Sequence, residues 1–268
     1  MKNSTLLLSG AFALLAAAGP AAAASSDWAT SEGGRVRLVT SGLPDANGNL
    51  QGALDIQLKP GWKTYWRDPG DSGVPPQLDV SASTNVSGAV MSFPAPQRHD
   101  DGYGQWSGYS HSVALPISFT VPSPGKKTTV AADVFLGVCE TICIPLQARL
   151  TVDPATDPDN AGDAKTLKAA LAALPADAGD AFGAKQLSAT HESVTIEATV
   201  PGDPAAADLF VAGDDDYMLG PPTRETKDGK VLFTVPILDR PSSTPTGGGL
   251  HYTLTGSTGA VRGLLPYP

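Results

Sequence analysis

Leu54-Asp55-Ile56-Gln57-Leu58-Lys59-Pro60-Gly61-Trp62-Lys63-Thr64-Tyr65-Trp66 is the stretch that decides the fold. From Leu54 to Leu58 apolar and polar residues alternate, as they do in a strand with one buried face. Lys59-Pro60-Gly61 marks a turn. Trp62 to Trp66 reads as a further strand carrying large aromatics, and Arg67 to Gly73 as a loop. The same alternation is found upstream in residues 35–41, and downstream residues 113–121, 128–136 and 148–152 read as further strands. Short strands at close spacing, with turn signals between them, predict an antiparallel β-sandwich.

The character of the chain changes after Val152. Residues 153–160 are linker-like, rich in Asp and Pro. A helix is predicted over residues 164–174, capped by Asp163 and ended by Pro175. Residues 178–184 are small and loop-like. Strands then resume at 193–200, 208–212, 231–238 and 251–255. The expected organisation is a mostly β chain: a sandwich in residues 25–153, a linker with a short helix in 154–184, and a second, smaller β unit in 185–268.

The first 24 residues read as a targeting segment. Met1-Lys2-Asn3 is basic, residues 6–18 are apolar, and Gly19-Pro20 precedes a run of alanines ending at Ala24. This order predicts a secretory signal peptide cleaved near Ala24–Ser25. The apolar run is shorter than the ~20 residues a bilayer needs, which argues against a membrane anchor. No Cys lies near the cleavage site, which argues against a lipoprotein. The expectation is a periplasmic protein, soluble after signal cleavage.

The net charge is −9, with no Lys/Arg cluster. Such a surface repels phosphate and disfavours nucleic acid as a partner. Apolar residues make up 41% of the chain, enough for a core, so the many Gly and Pro residues read as turns rather than disorder. Nothing suggests an obligate assembly, and a monomer is expected.

The two cysteines stand in Gly137-Val138-Cys139-Glu140-Thr141-Ile142-Cys143-Ile144-Pro145. In an oxidising compartment so close a pair tends to form a disulfide. As a staple it would add little: the chain-entropy contribution of so short a loop is about 2 kcal/mol before strain. Short, strained disulfides are also more easily reduced. The spacing leaves three readings open: a redox pair, a structural bridge, and a metal site. For a metal, the four histidines, His99, His111, His191 and His251, form no Cys/His cluster in sequence. Two thiolates alone do not complete a tetrahedral zinc site. Copper(I) accepts two soft ligands, so a copper(I)-handling protein stays as an alternative, beside a binding module with a structural disulfide. No cofactor is implied. Ser110-His111 is not a nucleophile–base pair by adjacency, which is a matter of space. Asp214-Asp215-Asp216 lacks the spacing of a calcium loop, and Gly247-Gly248-Gly249 does not join strand to helix as a phosphate loop would.

Residues 61–150 resemble the N-terminal periplasmic domain of the thiol:disulfide interchange protein DsbD and its relatives in the ScsB group. Three pieces carry the likeness. Pro60-Gly61-Trp62-Lys63-Thr64-Tyr65-Trp66-Arg67 resembles the family's turn and aromatic strand. Pro96-Gln97-Arg98-His99-Asp100-Asp101-Gly102-Tyr103-Gly104, with Gly108-Tyr109 and Val113 to Ile117, is similar to its cap region and the strand after it. The cysteine segment resembles its redox hairpin.

The resemblance implies an immunoglobulin-like sandwich whose cysteines carry electrons from a membrane-embedded thiol reductase to periplasmic thioredoxin-fold proteins. It implies that Cys139 and Cys143 are the reactive pair, with Cys143 engaging the oxidised client. It also implies a cap over the sulfurs formed by residues 100–104. Asp100 or Asp101 would raise the thiol pKa or relay a proton, and Tyr65 and Trp66 would wall the site. The cysteines lie closer together here than in the family's best-known member. Gly102 stands where that member's cap has an aromatic, leaving Tyr103 to cover the sulfurs. The sequence carries neither a membrane domain nor a Cys-x-x-Cys thioredoxin unit, so the expected role is that of a relay module working between separate proteins.

Overall fold

The computed structural model describes residues 24–70, 73–100, 102, 104–213, 217–243 and 245–268. The predicted signal peptide, apart from Ala24, lies outside the described residues, as do Asp101, Tyr103 and Asp214-Asp215-Asp216. Among the described residues no helix is long and apolar enough to cross a membrane.

The chain is mostly β, and its first part is the immunoglobulin-like sandwich that the strand pattern and the resemblance predicted. One sheet runs in the order Ala29–Thr30, Gly34–Thr40, Asn49–Leu58, Val113–Thr120, Gly88–Met91. The facing sheet runs Cys143–Val152, Val130–Cys139, Gln77–Asp79. All these pairings are antiparallel. Leu38, Leu54, Ile56, Leu115 and Ile117 from the first sheet meet Val134, Leu136, Val138, Leu146 and Leu150 from the second in one buried core.

The opening stretch folds as its turn chemistry dictates. Gly61 adopts φ +86° and the Trp62 amide donates to the Lys59 carbonyl at 3.1 Å. This is the turn for which Pro-Gly is suited, because only the second central residue needs positive φ. The aromatic segment after it is less regular than predicted. Only Thr64–Tyr65 is a strand, pairing with Gln105–Tyr109, which in turn pairs with Gln97–Asp100.

The helix spans Ala161–Ala172, starting before its predicted position. Its cap is Asn160, whose side chain accepts from the Asp163 amide at 3.0 Å. Asp163 is therefore not the predicted cap. It is buried within the first turn, where it pairs with Arg37 at 3.2 Å, and Arg37 also pairs with Asp55 at 3.1 Å. Leu167 and Ala170 rest on Val39 and Ala53. The helix thus covers the outer face of the first sheet, and strand Asn49–Leu58 is buried on both sides.

The second part has two sheets of its own. One runs Ala176–Asp177, Gly259–Leu265, Leu250–Gly256, Asp208–Ala212; the other runs Gly183–Ala189, Ser193–Thr199, Lys230–Asp239, Met218–Leu219, with Thr223–Lys227 also pairing to Lys230–Asp239. Val194, Ile196, Leu209, Phe233, Val235 and Leu254 are central in its core. Strand Asp208–Ala212 serves both parts. Leu209 and Val211 enter this second core, while Phe210 and Ala212 enter the first. Successive side chains of a strand point to opposite faces, and here each face has its own core.

Candidate redox site at the hairpin tip

Strands Val130–Cys139 and Cys143–Val152 form an unbroken antiparallel ladder from Val130↔Val152 to Cys139↔Cys143. The cysteines are thus the last register pair before a turn of Glu140, Thr141 and Ile142, closed by a 3.1 Å bond from the Glu140 amide to the Ile142 carbonyl. They are joined as a disulfide, with Cα atoms 4.0 Å apart. The two sulfurs have unlike surroundings. Cys139 is 1% exposed, whereas Cys143 is on the surface beside Ile142, which is 67% exposed.

The segment after the Pro-Gly turn supports this tip from below. The Lys63 amide donates to the Cys139 carbonyl at 2.8 Å, and the Cys139 amide donates to the Lys63 carbonyl at 2.9 Å. The Thr64 hydroxyl donates to the Gly137 carbonyl at 2.9 Å. With this register the segment divides by parity. Trp62 and Trp66 face the sandwich core, while Tyr65 faces the cysteines. The Tyr65 hydroxyl, on a ring only 1% exposed, donates to Cys139 Sγ at 3.1 Å and lies 3.5 Å from Cys143 Sγ. Gly137 makes room for that ring: a Cβ there would lie 3.1 Å from two of its carbons.

Of the two predicted wall residues the structure brings Tyr65 to the sulfurs. Trp66 is placed elsewhere, its ring 6.0 Å from Phe210 in a T-shaped contact. Adjacent residues on an extended segment cannot share a face, so only one of the two could wall the site. Asp100 ends its strand with an exposed carboxylate that accepts from the Gly102 amide at 2.9 Å.

Trp106 is the wall residue that sequence reasoning missed. It forms a buried cluster with Tyr65 and Cys139, its ring edge-on to Tyr65 at 5.9 Å. His99 stacks on it at 4.0 Å with 15° between the planes, and Lys63 Nζ sits 4.3 Å from its centroid. Burial and the nearby Lys63 charge, with His111 also contributing, hold the His99 pKa below the ordinary imidazole value. Among the described residues no group of three or more His, Cys, Asp or Glu side chains could hold a metal ion.

A β-sandwich carrying a disulfide at an exposed hairpin tip, with a buried tyrosine hydroxyl against the inner sulfur, defines a domain built to present one sulfur and shelter the other. Residues 39–154 match the family described as thiol:disulfide interchange protein DsbD, N-terminal, and the resemblance carried by the sequence motifs is borne out. The chain is also similar to the N-terminal periplasmic domain of ScsB from Proteus mirabilis in its crystal structure. The TM-score is 0.71 at 22% identity, covering 92% of this chain and 100% of that one. At that identity the likeness is one of fold, and it extends over both β units. No curated protein matches the chain.

Proposed function

We propose that this protein is a thiol–disulfide exchange module in which Cys139 and Cys143 alternate between dithiol and disulfide. The observation that carries the reading is the asymmetry of the pair: an exposed Cys143 beside a buried Cys139 whose sulfur accepts a hydrogen bond from Tyr65. The Cys143 thiolate attacks one sulfur of a client disulfide, forming a mixed disulfide and releasing the client's first thiolate. The Cys139 thiolate then attacks Cys143 Sγ, the intermolecular bond breaks, and the client's second thiolate leaves. The client has gained two electrons and two protons, and the Cys139–Cys143 disulfide has formed. Run in reverse against a dithiol donor, the same exchange reloads the pair.

Tyr65 has a defined part in these steps. Its hydroxyl stabilises negative charge on the inner sulfur, so Cys139 is the better leaving group when the pair is reduced. In this reading residues 25–153 carry the chemistry, and residues 154–184 connect them to a second β unit in 185–268. Asp100, Asp101 and Tyr103 belong to a cap over the sulfurs. The donor is a membrane-embedded thiol reductase and the clients are periplasmic thioredoxin-fold proteins. The protein reaches that compartment through the signal peptide in residues 1–24. The DsbD family match and the periplasmic origin of the ScsB domain support this assignment.

Single-cysteine variants test the proposal. Cys139→Ser, incubated with oxidised thioredoxin, is expected to accumulate a mixed disulfide through Cys143 that non-reducing electrophoresis detects. Cys143→Ser leaves only the buried sulfur and is expected to form little. Equal trapping by both variants, or by neither, would remove the assignment.

A further inference from the structure

We infer that Arg98 is a positioning residue for exchange, through which the second β unit sets the Tyr65 hydroxyl against the cysteine pair; the inference rests on the exchange reading of that pair. Arg98 and His99 are neighbours on strand Gln97–Asp100 and point to opposite faces. On one face Arg98 is clamped by the second unit. Its Nε and Nη2 reach the two oxygens of Asp208 at 3.2 Å each, Nη2 donates to the Leu209 carbonyl at 2.8 Å, and its guanidinium lies 4.7 Å from the Phe210 centroid. A two-pronged guanidinium–carboxylate pair fixes direction as well as distance.

On the other face, His99 stacks on Trp106, Trp106 meets Tyr65, and Tyr65 bonds to Cys139. Neither Trp106 Nε1 nor His99 Nε2, though buried, has a hydrogen-bond partner among the described residues. No polar bond at those atoms fixes either ring, so packing does: His99, on the strand that Arg98 anchors, stacks on Trp106 where it meets Tyr65, and Lys63 also contacts the ring. The clamp itself is half-open to water, with side chains 22% and 37% exposed. Its two-pronged geometry, with the added bond to the Leu209 carbonyl, fixes the direction of the Arg98 side chain and so the place of strand Gln97–Asp100 against the second unit.

The test is the rate at which dithiothreitol reduces the native disulfide in the mature protein at neutral pH. The reagent attacks exposed Cys143, Cys139 departs as thiolate, and a hydrogen bond to the departing sulfur speeds the step. Tyr65→Phe is expected to slow reduction about five-fold, the order of one hydrogen bond. Arg98→Gln and Asp208→Asn are expected to slow it by a similar factor, measured at a temperature where circular dichroism shows each variant fully folded. The double variant Arg98→Gln/Tyr65→Phe is expected to be no slower than Tyr65→Phe, because the clamp acts through the tyrosine. Wild-type rates in both clamp variants, or a double variant slowed by the full product of the two single effects, would overturn the inference. The wild-type redox midpoint judges the exchange reading separately, so failure of one is not mistaken for failure of the other.

Discussion

The position of His99 favours its neutral form. Burial is the largest cause of its lowered pKa, and the Lys63 charge adds to it. A group whose folded pKa lies below its unfolded value binds fewer protons when folded, so stability rises with pH across that interval. The contribution is full above the ordinary imidazole range and is lost as pH falls through that range toward the lowered folded value. The melting temperature should therefore fall more between pH 7.5 and 5.5 in wild type than in His99→Asn, and parallel curves would show that His99 is not the group responsible. Gly137 is the second position where one atom matters. An added methyl would lie 3.1 Å from two Tyr65 ring carbons and 3.2 Å from Val74 Cβ. Overpacking of this kind typically costs about 1–3 kcal/mol. Urea unfolding of Gly137→Ala should show that loss, and an unchanged midpoint would mean the ring does not rest there. The residue scale was also the least legible in the sequence. Cys139, Cys143 and Tyr65 stood out by type and motif, whereas Trp106 did not. No period marks it, and it reaches the site through the pairing of Gln97–Asp100 with Gln105–Tyr109.

At the scale of elements the hairpin explains why the cysteine spacing is short. Cys139 and Cys143 close the ladder as its last register pair, so the turn already brings them together and the bond restrains little more. Replacing both by Ser should lower stability by about 2 kcal/mol at most, measured by thermal or urea unfolding. A loss of twice that or more would point to a structural staple. The alternation of Leu54 to Leu58 and the Pro-Gly turn were legible because each is a local rule. The helix start was displaced because two residues competed for the cap. Asn160 and Asp163 are both good caps by type, and tertiary structure decided between them by drawing Asp163 onto Arg37. Strand Gly183–Ala189 was missed because its mostly exposed, polar or small residues give no apolar alternation to read.

Across the whole molecule the two β units share strand Asp208–Ala212. Its Leu-Phe-Val-Ala run is apolar on both faces, as expected of a strand buried on both sides, yet nothing in the run says that the faces belong to different cores. Phe210 is 3% exposed within the first core and touches Trp66. Removing it should cost about 3–5 kcal/mol. Calorimetry of wild type is expected to show a single cooperative transition, and Phe210→Ala a lower and broader or divided one. Two resolved transitions in wild type would mean that the shared strand does not couple the units. This joint places the second unit beside strand Gln97–Asp100 and so within reach of the site.

Whether Cys139 and Cys143 exchange electrons rather than brace the fold is read from their redox equilibrium with glutathione in the native mature protein, followed by thiol alkylation and mass. An exchanging pair should have a midpoint between roughly −120 and −270 mV, the span of known exchange proteins. A midpoint below about −300 mV, the range of structural disulfides, would contradict the exchange reading.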